Sequence, residues 1–303
     1  PIKHKTNTMK TTHMTKSIMT LAGLALCTAS LHGAAVVYEG FNNTSGGAEA
    51  AQGFGPAGTG LDGNWNANFG GTGFIRVDNE TMVTGNIATD GNGEYSANNF
   101  GGGFEMTNTS AALTGSGLLN DGGTLWMSYL YQGQGFSAGG WGGIAIGDGV
   151  LDTSANGMFM GTGTQAVGVQ TQTGNGFQAA NWLGATQSAT NKGATASLSG
   201  TQLMVAKFEW GAAFANETIT LYTADLNTGA LSAALSTVSI ADVNQAAFNT
   251  ISIATRDTNA PSIFVDEFRL GASASDVVVL VPEPSSAALL GLGGLALLRR
   301  RRK

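Results

Sequence analysis

Cysteine and histidine, two residue types that often carry catalysis or hold metals, occur only at the front of this 303-residue chain. The single cysteine is Cys27, and the three histidines are His4, His13 and His32. From residue 36 onward the sequence offers no thiol and no imidazole. That part of the chain therefore excludes a Ser-His-Asp triad, a cysteine nucleophile and a His/Cys zinc site.

Paired carboxylates are the next chemistry to consider, because a glycosidase needs two acids about 5 to 9.5 Å apart. Asp78 and Glu80 stand two residues apart in a turn-like context, and Asp90 and Glu94 share a glycine-rich loop. Such acids are typical solvated turn residues. We therefore predict no catalytic residue among these four.

Asp266 and Glu267 are adjacent in the strand-like stretch "SIFVDEFRL". Adjacent strand residues point to opposite faces, so Asp266 is predicted to be buried on the face that Phe264, Phe268 and Leu270 share. Glu267 is predicted to be exposed, and to form with Arg269 an exposed ion pair of small energetic value.

Oxygen ligands would favour calcium, but no metal site and no cofactor are expected. "DLNTGA" (225–230) begins like a calcium loop, yet Ala230 stands where that loop needs glycine, so a hairpin turn is predicted. Trp65, Trp141 and Trp182 lie in Gly/Asn-rich stretches, where exposed rings could stack on sugars. Packing against the edge of the fold is the alternative for each of them.

Charge is distributed unevenly along the chain. Residues 36–282 hold five Lys and Arg against nineteen Asp and Glu, a formal charge of −14. A body this acidic would repel phosphate backbones, so nucleic-acid binding is not expected. Five basic residues close the chain: Arg299, Arg300, Arg301, Arg302 and Lys303.

The front of the chain has the three parts of a secretory signal peptide. Lysines follow Met9, the apolar run "IMTLAGLALCTASL" comes next, and small residues precede Val36. Residues 1–35 are therefore predicted to be a signal peptide with upstream residues. "LALC" resembles a lipoprotein box, but Leu26 stands where that box needs a small residue. Removal of the signal peptide would also remove Cys27, so we expect an exported protein without disulfides.

The end of the chain combines the tripeptide Pro282, Glu283 and Pro284 with an apolar run and the basic residues. The run 287–298 has 12 residues, about 18 Å as a helix against roughly 30 Å of bilayer hydrocarbon. The arginines would hold the tail in the cytoplasm and leave the body outside. We expect a short transmembrane helix that anchors the chain temporarily.

These parts, in this order, resemble the PEP-CTERM sorting signal of Gram-negative bacteria. The resemblance implies recognition and cutting near Pro284 by an exosortase, a membrane transpeptidase-like enzyme. It also implies an inner-membrane intermediate, followed by delivery to the cell surface or to an extracellular matrix that contains exopolysaccharide. It covers under a tenth of the chain and does not identify what the body does.

Between signal and tail, short β-rich stretches are separated by Gly, Asn or Asp turns. Apolar residues alternate in several of them, as at Ile219/Leu221 and Ile251/Ile253, which is the period of a half-buried strand. An all-β fold is therefore predicted, an antiparallel two-sheet sandwich. The predicted strands cover residues 36–41, 124–132, 142–148, 158–163, 166–172, 202–210, 217–225, 249–257 and 262–270.

The sandwich is expected to occupy residues 36–271, followed by a linker at 272–281 and the sorting signal at 282–303. Long glycine-rich loops are expected at 44–73 and 174–200, the places best suited to binding.

The opening strand "VVYEGF" and the closing strand "FVDEFRLG" resemble those of concanavalin A-like lectin/glucanase or laminin-G-like jelly rolls. The resemblance implies a jelly roll that binds glycans and, in some branches, cleaves them. The E-x-D-x-E strand of the glucanase branch is not found. We therefore expect an exported, non-catalytic surface or matrix protein with a capacity to bind extracellular polysaccharide. The alternative is a glycan-active hydrolase on the same fold.

Overall fold

The chain divides into two compact units, of which one, Gly33–Leu280, is called the body here. The second unit comprises Pro1–His32 and Val281–Lys303. The predicted signal helix, transmembrane helix and sorting motif lie outside the residues that the structure describes. The computed structural model describes residues 34–41, 58–69, 74–78, 82, 85–87, 94–98, 102–133, 140–149, 165–172, 176–183, 191–212, 215–241, 243–257 and 262–281.

Strands dominate the described part of the body. It also holds two short α-helices, α1 (Ala111–Gly115) and α2 (Ala274–Val277), and one 3-10 turn at Gln245–Ala247. No helix in these residues has both the length and the apolar character that a membrane span requires. The strands are β1 (Val37–Glu39), β2 (Asn66–Phe69), β3 (Phe74–Asp78), β4 (Glu94–Asn98), β5 (Gly102–Thr109), β6 (Thr124–Gly133), β7 (Trp141–Gly147), β8 (Gln165–Gln172), β9 (Gly176–Leu183), β10 (Asn191–Lys192), β11 (Ala196–Ser197), β12 (Gln202–Glu209), β13 (Asn216–Ala224), β14 (Ser236–Ala241), β15 (Thr250–Asp257) and β16 (Ser262–Gly271).

The strands form two antiparallel sheets, as predicted. Sheet A has the order β14-β13-β12-β6-β16-β4-β3, with β1 also paired to β16. Sheet B has the order β10-β9-β8-β7-β15-β5-β2, with β11 also paired to β9. Strands distant in sequence are thus neighbours, and the first strand of the body is hydrogen-bonded to the last.

The main core lies between the two sheets, where alternate residues of each strand meet. Ile219 and Leu221 of β13 and Ile251 and Ile253 of β15 are completely buried, which confirms the predicted alternation. Burial of each such side chain stabilises the fold by about 1.5–3 kcal/mol. The aromatic members of this core include Phe41, Trp65, Tyr129, Tyr131, Phe177, Phe208, Trp210, Phe248 and Phe268.

Most of the predicted strands are observed, but two predicted loops contain strands. The stretch 174–200 includes β9, β10 and β11, and the stretch 44–73 includes β2. Phe177 and Ala179 of β9 are buried in the main core, so this glycine-rich stretch still supplies an inward face. The strand predicted at 158–163 lies outside the described residues.

Residues 272–280, assigned by the sequence to a linker, are part of the body. They include α2 and lie on the outer face of sheet A, the face turned away from sheet B. There Val277 and Val278 join a second apolar cluster, called the outer-face cluster here, with Leu130, Leu203 and Val205.

Candidate functional site

The three tryptophans considered in the sequence analysis as possible glycan contacts are buried. Trp65 and Trp182 are 0% exposed, and Trp141 is 8% exposed. Trp141 opens β7, Trp182 lies in β9, and Trp65 directly precedes β2. A ring buried to this degree has no free face for a sugar. Of the two possibilities raised for these tryptophans, packing against the fold is therefore observed at all three positions.

Trp65 donates a hydrogen bond to a buried carboxylate, that of Glu39 in β1. Glu39 is 0% exposed and lies opposite Phe268 of β16. Its Oε2 accepts a 2.8 Å hydrogen bond from Trp65 Nε1, and its Oε1 accepts a 2.9 Å bond from the backbone N–H of Phe41. Phe41 has a left-handed backbone (φ 49°), which turns the chain so that its amide reaches Glu39. Both oxygens of this buried group thus have donors, as burial of a charge requires.

Glu267 is buried, at 1% exposure, so the prediction that it is exposed is wrong. The cause is a β-bulge in β16. Asp266 is opposite Leu130 and Arg269 is opposite Ser128, so three steps along β16 match two steps along β6. Glu267 is the extra residue, with φ 54°.

The bulge also changes the face of Asp266. The prediction that Asp266 is buried is confirmed, at 5% exposure. Its partner Leu130, however, belongs to the outer-face cluster, whereas Phe268 and Leu270 belong to the core between the sheets. Asp266 therefore does not share a face with Phe268 and Leu270, because the bulge reverses the alternation between them.

Tyr38, Glu267 and Arg269 form a cluster that we call the clamp, because it joins the first strand to the last. Arg269 Nη2 donates to Glu267 Oε2, and Tyr38 Oη donates to Oε1 over 3.2 Å. The Arg269 guanidinium carbon lies 4.6 Å from the centre of the Tyr38 ring. The Glu267 backbone N–H donates to Asp266 Oδ1 over 2.8 Å. The ion pair predicted for Glu267 and Arg269 exists, but it is buried rather than exposed.

The structure describes only one member of each of the two other acid pairs that the sequence analysis considered, Asp78/Glu80 and Asp90/Glu94. Glu80 and Asp90 lie outside the described residues. Asp78 and Glu94 instead occupy opposite register positions, at the end of β3 and the start of β4. Sequence spacing gave no sign of this pair because the two residues are 16 positions apart.

The stretch "DLNTGA" forms the turn between β13 and β14, as predicted. Asp225 Oδ1 accepts hydrogen bonds from the Thr228 N–H at 2.7 Å, the Thr228 Oγ1 at 2.9 Å and the Asn227 N–H at 3.0 Å. These bonds, the Thr228 backbone bond foremost, hold the pKa of Asp225 below its ordinary value. Within the described residues, no three His, Cys, Asp or Glu side chains are grouped as a metal would require.

An open cleft of about 450 Å³ lies beside this turn. Its lining includes Thr201, Gln202, Asp225, Asn227 and Ser232 and contains no aromatic ring. The cleft offers hydroxyls, amides and one carboxylate, but no flat apolar surface on which a sugar ring could stack.

A pair of partly exposed aromatic rings lies on the outer face of sheet A. Trp126 of β6 and Tyr222 of β13 have ring centres 6.1 Å apart and planes inclined by 26°. Both are only partly buried. Their neighbours Leu125, Met127 and Leu221 point into the main core, so alternation places the two rings outside. The alternation of "TLWMSYLYQ" could have identified Trp126 from sequence.

A charged pair borders the Trp126 ring. Lys207 Nζ lies 5.8 Å from the centre of that ring and 2.6 Å from Glu209 Oε1. The Lys207 side chain is 26% exposed and that of Glu209 is 47% exposed. We call Trp126, Tyr222, Lys207 and Glu209 the platform. It combines two partly exposed aromatic rings with an ammonium donor and a carboxylate acceptor.

Some solved structures share a weak likeness to the chain. A protein of unknown function from Shewanella oneidensis MR-1 is 13% identical, with a TM-score of 0.44 and coverage of 89% of this chain and 98% of its own. The binding domain of botulinum neurotoxin DC is 10% identical (TM-score 0.43), with 82% of this chain covered but 51% of that one. Alginate lyase from Chlorella virus is 10% identical (TM-score 0.38), with 69% and 93% covered. Scores below 0.5 assign neither a ligand nor an activity.

A comparison with curated proteins gives no match. Residues 280–303 match the PEP-CTERM protein-sorting motif. The match includes the tripeptide Pro282, Glu283 and Pro284 and the basic end of the chain. The resemblance noted in the sequence is thereby confirmed: the chain carries a PEP-CTERM sorting motif at its C-terminus, the mark of an exported and sorted protein.

Proposed function

We propose that this protein is a non-catalytic component of the cell surface or extracellular matrix of a Gram-negative bacterium. An exosortase-type enzyme removes the tail, which holds the chain transiently in the inner membrane. The body, a concanavalin A-like jelly roll, then binds extracellular polysaccharide through the platform.

The sorting motif supports delivery to the surface. Its apolar run would span about 18 Å, which is too short for a permanent anchor, while the terminal arginines resist passage through the membrane. Mass spectrometry of the exported protein from an exosortase-bearing host should show an N-terminus near Val36 and loss of residues 287–303. Recovery of an intact arginine tail on the fully exported protein would contradict this proposal.

The partly exposed stack of Trp126 on Tyr222 is the observation that carries the binding proposal. Ring faces of this kind pack against the C–H groups of a pyranose, and Lys207 and Glu209 can donate to and accept from its hydroxyls. The body carries a formal charge of −14, which disfavours anionic polymers. The platform therefore fits neutral polysaccharides best.

Two buried carboxylates support a non-catalytic body. Glu39 accepts from Trp65 and Phe41, Glu267 accepts from Tyr38 and Arg269, and both are buried within the fold. Carboxylates held in this way stabilise strand pairing and are not presented to a substrate.

A glycan array probed with the exported protein tests the binding proposal. The variant Trp126→Ala should weaken binding to neutral glycans about tenfold, equivalent to about 1.4 kcal/mol, with an unchanged circular dichroism spectrum. Leu226→Ala is the matched control, because Leu226 packs against the same outer-face cluster but has no ring. Equal binding by both variants would exclude the platform as the glycan site.

One backbone relationship favours the hydrolase alternative. Asp78 and Glu94 are directly opposed across β3 and β4, so the backbone places two acids at neighbouring positions of one sheet. A pair of neighbouring acids is what a glycosidase requires. An assay of reducing-sugar release from polysaccharides decides between the two functions. We expect no release, and release that Glu94→Gln abolishes would establish the hydrolase instead.

A further inference from the structure

Residues 272–280, which we call the strap, fold back on the outer face of sheet A. The strap starts at the end of β16, where Gly271 lies so close to Asp276 that an added Cβ would stand 2.5 Å from the Asp276 Cβ. The Ser273 backbone N–H donates to Asp276 Oδ2 over 2.7 Å and thereby caps α2. The close approach and the cap together turn the chain back towards the sheet.

Three kinds of contact hold the strap in place. Val277 and Val278 are buried in the outer-face cluster, at 1% and 8% exposure. Ser128 Oγ of β6 donates a 2.6 Å hydrogen bond to the carbonyl oxygen of Val277. Leu280 forms an antiparallel bridge with Ile87. The strap is therefore fixed along its length, up to its last residue.

The sorting motif follows the strap without a spacer. The matched motif begins at residue 280, where the strap is still bridged to Ile87. Val281, which is 53% exposed, is the single residue between Leu280 and Pro282. One residue extends the chain by at most about 3.6 Å.

We infer that the strap must detach from sheet A before the tail can be cut. This inference rests on the proposed function, in which an enzyme cuts near Pro284. Enzymes that process peptides bind them as extended segments, and here the residues immediately upstream of the tripeptide are held in the folded body. The rate of cutting in the folded protein then follows the fraction of molecules whose strap is open.

The consequence is a competition between folding and sorting. A newly exported chain whose strap has not yet docked is cut quickly, whereas a folded body retains its tail for longer. The strap thus delays the release of bodies that fold before they meet the processing enzyme.

A disulfide that locks the strap tests this inference. Bridged residues have Cα atoms about 4.5–5.5 Å apart, within the range for a disulfide, so Ile87→Cys with Leu280→Cys can close the strap in the oxidising exported environment. The sequence has no other cysteine after residue 35 to compete. In an exosortase-bearing host, pulse-chase mass spectrometry should show that the disulfide-closed molecules lose the tail at least tenfold more slowly than the unaltered protein.

Two further variants isolate the strap from other effects. The single variant Leu280→Cys, which alters the first matched residue of the motif but cannot close, should lose its tail at the normal rate. A six-residue Gly/Ser spacer inserted between Val281 and Pro282 should restore normal cutting to the locked protein, because the motif can then be reached without opening the strap.

The outcomes separate the two proposals. If the unaltered protein loses its tail and the locked protein does so at the same rate, the strap inference is overturned and the sorting proposal stands. A locked protein that the spacer fails to rescue also overturns the inference. Retention of the tail by the unaltered protein would instead contradict the proposed function.

Discussion

Arg269 donates a hydrogen bond to Glu267, two residues before it on the last strand, and the resulting ion pair is almost completely buried. The Glu267 side chain is 1% exposed and that of Arg269 is 11% exposed. Tyr38 of the first strand completes the clamp, through its hydroxyl and its ring. The first and last strands are therefore joined through Tyr38, which contacts a charge pair that has little access to water.

Glu267→Gln should destabilise the body by about 3–5 kcal/mol, because it removes the negative charge that pairs with the largely buried Arg269. Urea unfolding followed by fluorescence measures the change. Glu209→Gln is the matched control, since it breaks the exposed pair with Lys207 and should cost less than about 1 kcal/mol. Similar small losses for both variants would show that the clamp does not hold the strands.

Trp65→Phe should cost more stability than Trp210→Phe, although both remove a buried indole donor. Trp65 Nε1 donates to the Glu39 carboxylate, whereas Trp210 Nε1 donates to the neutral carbonyl of Leu118 over 2.6 Å. Hydrogen bonds to charged groups contribute about 1.5–3 kcal/mol and neutral ones about 0.5–1.5 kcal/mol. Chemical unfolding of the two variants provides the comparison, and a larger loss for Trp210→Phe would refute the proposed role of Glu39.

Alkaline pH should destabilise the body through two core tyrosines. Burial raises the pKa of Tyr129 and of Tyr131 well above the ordinary value of 10, so the folded state keeps both protonated. Their contribution is fully present below about pH 10 and is lost as the pH rises towards the folded-state pKa, because the unfolded chain releases both protons first. The unfolding free energy should therefore fall by about 3 kcal/mol per pH unit above pH 10.

Tyr131→Phe should reduce that slope by about half. Absorbance at 295 nm provides a second measurement, because the two core tyrosines should ionise only when the protein unfolds. Ionisation of all five tyrosines near pH 10 in the folded protein would contradict the burial of these two.

The turn at Asp225 should weaken in acid. Its carboxylate oxygen accepts three bonds within the turn, which hold its pKa below the ordinary value, so the stabilisation is present at neutral pH and is lost as the pH falls through the folded-state pKa. An NMR titration measures that pKa directly. Thr228→Val removes the hydroxyl bond but keeps the backbone bond, and should move the pKa part of the way towards its ordinary value. An unchanged pKa would show that the hydroxyl contributes nothing.

Local patterns in the sequence predicted much of the fold. Alternation placed Ile219, Leu221 and Ile251 in the core, and the turn chemistry of "DLNTGA" predicted the hairpin at 225–230. Glycine-rich stretches were less informative, because a strand such as β9 can bury small residues and glycine without a strong apolar pattern. For this reason Trp182 was expected in a loop and is found in a sheet.

The sequence by itself determined the sorting motif, since its tripeptide, apolar run and basic residues are contiguous and act through local chemistry. It also determined the absence of thiol and imidazole chemistry from residue 36 onward, and the two-sheet class of the body. Only the tertiary structure decided the burial of Glu267, the strap over sheet A and the pairing of Asp78 with Glu94. A single extra residue in a bulge reverses which face every later side chain occupies, and strand pairing joins residues that no local pattern relates.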